Sequence, residues 1–132
     1  MILTFDAEVA GRMSLGADYV PEVAALDRRT FPTLSQLAEC LGGEVVTTVV
    51  PTAADSPDWT FAAFWAHPER VLDPAARAAT SGFARQPPWV VERVVAALGT
   101  DLESGAWDAR HGELRALADY DAGMRLVVAR PG

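Results

Sequence analysis

Asp6 closes the run Ile2-Leu3-Thr4-Phe5, whose aliphatic, β-branched and aromatic residues read as a buried strand. Such a run usually belongs to a parallel sheet with a neighbour on each edge. A carboxylate at its carboxyl end falls where open α/β sheets bind ligands. Asp55 and Asp58 follow a second strand and could share that rim, as a polar substrate site or an acid/base pair. Aspartates at such positions also serve simply to hold turn N–H groups. The next segment is crowded with Trp59, Phe61, Phe64 and Trp65, the last three on one helix face at i, i+3 and i+4. They either line a pocket for an apolar small molecule or form plain core. His67 follows them directly, placed to act as a base in such a pocket or to bind the last carbonyls of a helix.

Other chemistries find no support. No glycine-rich phosphate loop and no G-x-S-x-G elbow occurs, and His67 and His111 stand in no metal-ligand spacing. The net charge of −7, with all eleven basic residues arginine, argues against a nucleic-acid partner. A single cysteine, Cys40, excludes an internal disulfide and fits a reducing cytosol. It falls on the apolar side of an expected helix and reads as a buried spacer. Neither a signal peptide nor an apolar stretch long enough for a membrane span is present.

The 132 residues, half of them apolar, suffice for one domain with its own core. Three strands are expected: the opening run, Glu44–Val50 closed by Pro51, and Met124–Ala129. Ala7 to Gly16 reads as a loop. A helix over Tyr19–Arg29 has Asp18 as its cap and Pro21 in its first turn. Thr33 and Gln36 form a capping box before Leu34, Leu37, Ala38 and Leu41, and Gly42-Gly43 ends that helix. Asp73-Pro74 opens a short helix. Another runs from Trp89 to Leu98 on the stripe Val91, Val94, Val95 and Leu98, stopped by Gly99, with Thr100 and Glu103 as a second capping box.

Taken in order, several segments resemble the later half of a class I S-adenosylmethionine-dependent methyltransferase. They are Leu3-Thr4-Phe5-Asp6, Asp18-Tyr19-Val20-Pro21-Glu22, Phe31-Pro32-Thr33-Leu34 and Val49-Val50-Pro51 with Asp58. The likeness continues through Phe64-Trp65-Ala66-His67-Pro68-Glu69, Leu72-Asp73-Pro74, Ser81-Gly82-Phe83 and Asp101 to Asp108, and closes on Arg125-Leu126-Val127-Val128-Ala129. It implies an α/β fold: a partial Rossmann-like sheet of three strands, mixed, with helices on its faces. The strands would be the family's fifth, sixth and seventh, with the seventh antiparallel and inserted between the other two. The family's glycine-rich loop and acidic ribose ligand belong to earlier strands, so no cofactor-binding residue is carried over, and no metal residue either. Phe5, Ala7 and Ala54 stand where tryptophan, proline and cysteine are common.

The function this implies is that of a truncated or split methyltransferase-like protein, inactive unless joined by a cofactor-binding half. S-adenosylmethionine would bind only to the completed assembly. Asp6, Tyr19, Trp59 and His67 are the substrate-pocket candidates, for a small-molecule methyl acceptor. The partner would be that half or a second copy, pairing along the Ile2–Phe5 edge. Two alternatives remain open: a non-catalytic interaction module that dimerises through this edge, and a small lyase or cyclase using Asp6 and His67 as acid and base.

Overall fold

The structure is a computed structural model describing residues 1–57 and 60–131. Its main sheet has the order β1-β5-β2, from β1 (Ile2–Phe5), β5 (Met124–Arg130) and β2 (Glu44–Val49). The last strand lies between the first two and runs antiparallel to both, as the resemblance implied. Every ladder is antiparallel, so the three strands do not form the mixed sheet expected. β1 and β2 run parallel to one another only across β5.

The opening run does not have a neighbour on each side. Among the described residues β1 pairs with β5 alone. Asp6 N–H donates to the Gly123 carbonyl at 2.7 Å. This places the even-numbered residues of β1 in the hydrogen-bonded pairs and turns the N–H and C=O groups of Leu3 and Phe5 to the open edge. The Leu3 side chain is 61 % exposed.

The core lies beside the sheet, in a helical body. Between β1 and β2 run α1 (Ala7–Ala10), α2 (Ser14–Asp18), α3 (Pro21–Thr30) and α4 (Leu34–Leu41). After β2 come the short strand β3 (Thr52–Ala53), 3-10 turns at Phe61–Phe64 and Pro68–Leu72, then α5 (Pro74–Ala78), α6 (Ser81–Ala84), α7 (Pro88–Ser104) and α8 (Ala106–His111). A further 3-10 turn, Gly112–Ala116, leads to β4 (Asp119–Tyr120), which pairs with β3 in a second, two-stranded sheet that the sequence did not announce. Leu15, Val23, Phe64, Trp65, Val94 and Trp107 are among the buried core.

Several local expectations hold for local reasons. Thr33 and Gln36 exchange both capping-box bonds, at 2.8 and 3.1 Å, and Gly42 and Gly43 carry positive φ angles beyond α4. Asp73 accepts the Ala75 N–H at 2.9 Å and starts α5. Others give way to packing. The segment after Asp6 is not a loop, because the Asp6 carboxylate accepts the Glu8 N–H at 3.1 Å and starts α1. Helix α3 begins at Pro21 behind Val20, while Asp18 ends α2 and meets His111 Nε2 at 2.7 Å. Helix α7 runs straight through Gly99 and Thr100 to Gly105, its stripe Val90, Val94 and Leu98 buried against the body. The Phe61–Phe64 segment is a 3-10 turn. Cys40 is exposed, since α4 buries no residue fully and its apolar stripe is only half covered.

Candidate functional site

Where the carboxyl end of β1 meets the helical body, a cleft of about 220 Å³ opens. Val23 and Asp27, one turn apart on α3, and Phe31 just past its end form one wall. Phe5 meets Phe31 edge-on, with ring centroids 6.2 Å apart. Phe61 and Gly82 close the other side, where Phe61 tilts against the buried Phe83 at 5.8 Å. Thr60 and Ser81 add hydroxyls.

Among the described residues, Asp27 is the one acid in this lining. Among the described residues its carboxylate takes part in no hydrogen bond or ion pair. Burial in the apolar wall pushes its carboxyl above the usual range, opposed by the more distant charge of Arg85. A second hollow, of about 420 Å³, adjoins the cleft across Phe5 and Phe31 and is bordered by Asp6, Glu8 and Arg28. Here Glu8 and Arg28 pair at 2.7 Å.

The predicted site residues are scattered. Asp6 lines only the second hollow, with its carboxylate engaged in capping α1. Tyr19 lines neither hollow. It is buried at the junction of α2, α7 and α8, donating its hydroxyl proton to Asp101 Oδ2 at 2.6 Å and accepting from Arg110 at 2.8 Å. His67 faces Glu69 at 3.4 Å, and Arg115 holds that glutamate from the other side. Asp6 and His67 thus keep separate partners. Trp59 and Asp58 lie outside the described residues, and Asp55 is exposed. Of the described members of the aromatic cluster, Phe64 and Trp65 are core and Phe61 lines the cleft. Asp27 and Phe31 were missed, although a carboxylate inside the apolar stripe of a helix is a readable signal.

Burial, helped by the bond to Asp101, pushes the Tyr19 phenol up to about 12. Ultraviolet titration of phenolate should therefore show one tyrosine ionising near that value, a step that Tyr19→Phe removes. The folded pKa exceeds the ordinary value of 10.0, so the stabilisation from Tyr19 is complete below pH 10 and is lost as pH climbs towards 12. A wild-type phenolate signal already complete near pH 10 would contradict this assignment.

At the floor of the cleft, Ala122 and Gly123 join the body to β5. Arg125, buried, grips Asp121 with both guanidinium nitrogens at 2.7 and 3.0 Å, and Asp121 also accepts the Gly123 N–H at 3.0 Å. The guanidinium holds the Asp121 carboxyl below the usual carboxylate range. The fork fixes the turn from which β5 starts.

Among the described residues, the glycines with positive φ end α4 and α7 or pack in the tight turn at Gly123.

No family model matches the sequence, and no curated protein does. Among solved structures, the chain is similar to one from Anabaena variabilis described as a "putative methyltransferase from antibiotic biosynthesis pathway". The two are 32 % identical and superpose with a TM-score of 0.85, over 95 % of this chain and 51 % of the other. The fold is methyltransferase-like over nearly all of this chain, which spans about half the length of the protein it matches. Among the described residues no helix is long and apolar enough to cross a membrane.

Proposed function

We propose that this chain is the acceptor-side half of a class I S-adenosylmethionine-dependent methyltransferase, completed by a cofactor-binding half that another segment or another polypeptide supplies. In that reading its three strands are the end of a Rossmann-like sheet, and the missing neighbour docks along β1. The observation that carries the proposal is the open β1 edge, with the backbone of Leu3 and Phe5 unpaired and the Leu3 side chain 61 % exposed, in a chain that matches only half of its structural relative. An apolar edge of this kind is a template for another strand.

Methyl transfer depends mainly on positioning the acceptor against the methyl donor. The bound cofactor would supply the methyl group. This chain would hold the acceptor in the cleft beyond β1 and keep water from it with Phe5, Phe31 and Phe61. The single cysteine fits a cytoplasmic setting, and the acceptor is a small molecule on the scale of the cleft.

The test is calorimetric titration with S-adenosylmethionine of the chain alone and of the chain joined to the part of the Anabaena protein that it does not match. The expected result is no heat from the chain alone and a dissociation constant on the order of 1 µM from the joined protein. Hydrogen exchange at Leu3 and Phe5 should slow on joining. Micromolar binding by the chain alone would overturn the proposal. So would a dimer of the chain that protects those two amides without the added half, since the edge would then serve self-association.

A further inference from the structure

Beyond a generic acceptor cleft, the walls carry a charge preference. A carboxylate half withdrawn from water beside apolar side chains gains from a cationic partner. Asp27 nevertheless has no hydrogen-bond or ion-pair partner among the described residues, and it lines the cleft with Val23, on its own helix face, and Phe31, just past the helix end. Its neighbour Arg28 is turned away to Glu8, and Arg85 acts on Asp27 only through space. Three phenyl rings share the cavity, from Phe5, Phe31 and Phe61. Phenyl faces attract cations and repel anions through their quadrupole. Carboxylate and rings therefore favour the same ligand charge, and the cleft has room only for a compact ring system rather than a drug-sized molecule.

We propose that the cleft is a binding site for a ring-bearing amine, with the cationic nitrogen paired to Asp27 and the ring held among Phe5, Phe31 and Phe61. Calling this amine the methyl acceptor rests on the function proposed above, whereas its binding does not. Asp27 is here a specificity-determining residue.

Three probes of one shape and different charge separate the contributions: 2-phenylethylamine, 2-phenylethanol and 3-phenylpropionate. Each is titrated into the 132-residue chain without methyl donor and followed by two-dimensional amide NMR. Phenylethylamine should shift the amides of Val23, Asp27, Thr60 and Gly82 saturably, with a dissociation constant on the order of 1 mM, the range such a small probe can reach. Phenylpropionate should bind at least about tenfold more weakly, because it sets a second negative charge against Asp27. Asp27→Asn should erase the preference for the amine over the alcohol while leaving the alcohol's affinity unchanged. Should that variant misfold, Asp27→Leu, which extends the apolar stripe, provides the same comparison. Equal binding of amine and carboxylate, amine binding unaffected by loss of Asp27, or no shifts from any probe would each overturn the proposal. None of these readouts involves S-adenosylmethionine, so failure here leaves the methyltransferase reading intact, and failure of that reading leaves this site intact.

Discussion

Trp65→Ala should lower the stability of the protein by about 3–5 kcal/mol, the cost of emptying a fully buried indole site. Trp65 has no accessible surface and joins two parts of the fold. Its indole N–H donates to the Thr52 carbonyl at 3.0 Å, and its ring stacks on Tyr120 at a centroid distance of 5.2 Å. Those two partners face each other across the β3–β4 ladder, so one side chain fastens that ribbon to the helical body. A domain of this size has roughly 5–15 kcal/mol in total, which leaves the variant close to unfolding. Urea denaturation is the measurement, read as a fall in midpoint at unchanged slope. Trp65→Phe keeps the ring contact but removes the indole N–H bond to the Thr52 carbonyl, and should cost about 1–2 kcal/mol. A loss below about 1 kcal/mol for Trp65→Ala would mean that the indole is not the fastening.

Gly123→Ala should be the second large effect, at about 2–4 kcal/mol. Gly123 has φ +101°, where an L side chain is strained, and an added Cβ would lie 2.9 Å from both Ala10 N and Asp6 O. Both are backbone atoms at the start and end of α1, so neither can rotate aside. Relief would require moving the point where β1, α1 and β5 meet, at the floor of the cleft. The matched control is Gly99→Ala. Gly99 lies inside α7 with helical backbone, and the nearest foreign atom to an added Cβ is Leu72 Cδ2 at 3.9 Å. That substitution should stabilise the protein by about 0.5–1 kcal/mol through helix propensity. Thermal or urea unfolding of the pair should move in opposite directions. A shift of the same sign in both would refute the steric account of Gly123.

What could be read in the chain divides along a physical line. The capping box of Thr33 and Gln36 and the Asp73 cap rest on contacts within a few residues, and the three main strands are marked by runs of β-branched and aliphatic residues, so residue type and spacing suffice to foresee them. The short β3–β4 ribbon was not foreseen, because its two-residue strands are too brief for any alternation. Gly99 and Thr100 form a plausible helix stop locally, yet the buried stripe through Val90, Val94 and Leu98 outweighs about 1 kcal/mol of glycine penalty. Tyr19 carries site-like chemistry, but tertiary contact with Asp101 and Arg110 commits its hydroxyl to holding helices together.

By itself, the sequence determined the three main strands and the caps at Thr33, Gly42 and Asp73, because these follow from short-range hydrogen bonding and hydrophobic periodicity, while the methyltransferase resemblance rested on the order of its segments. Only the tertiary structure decided which aromatic residues are core and which line the cleft, and that Asp27 rather than His67 faces it. It also made β1 an edge with exposed Leu3, and left the α4 stripe half covered with Cys40 outside. Each of these depends on what lies across a gap from a residue. Burial and missing partners are properties of surroundings assembled from distant parts of the chain, and no local pattern encodes them.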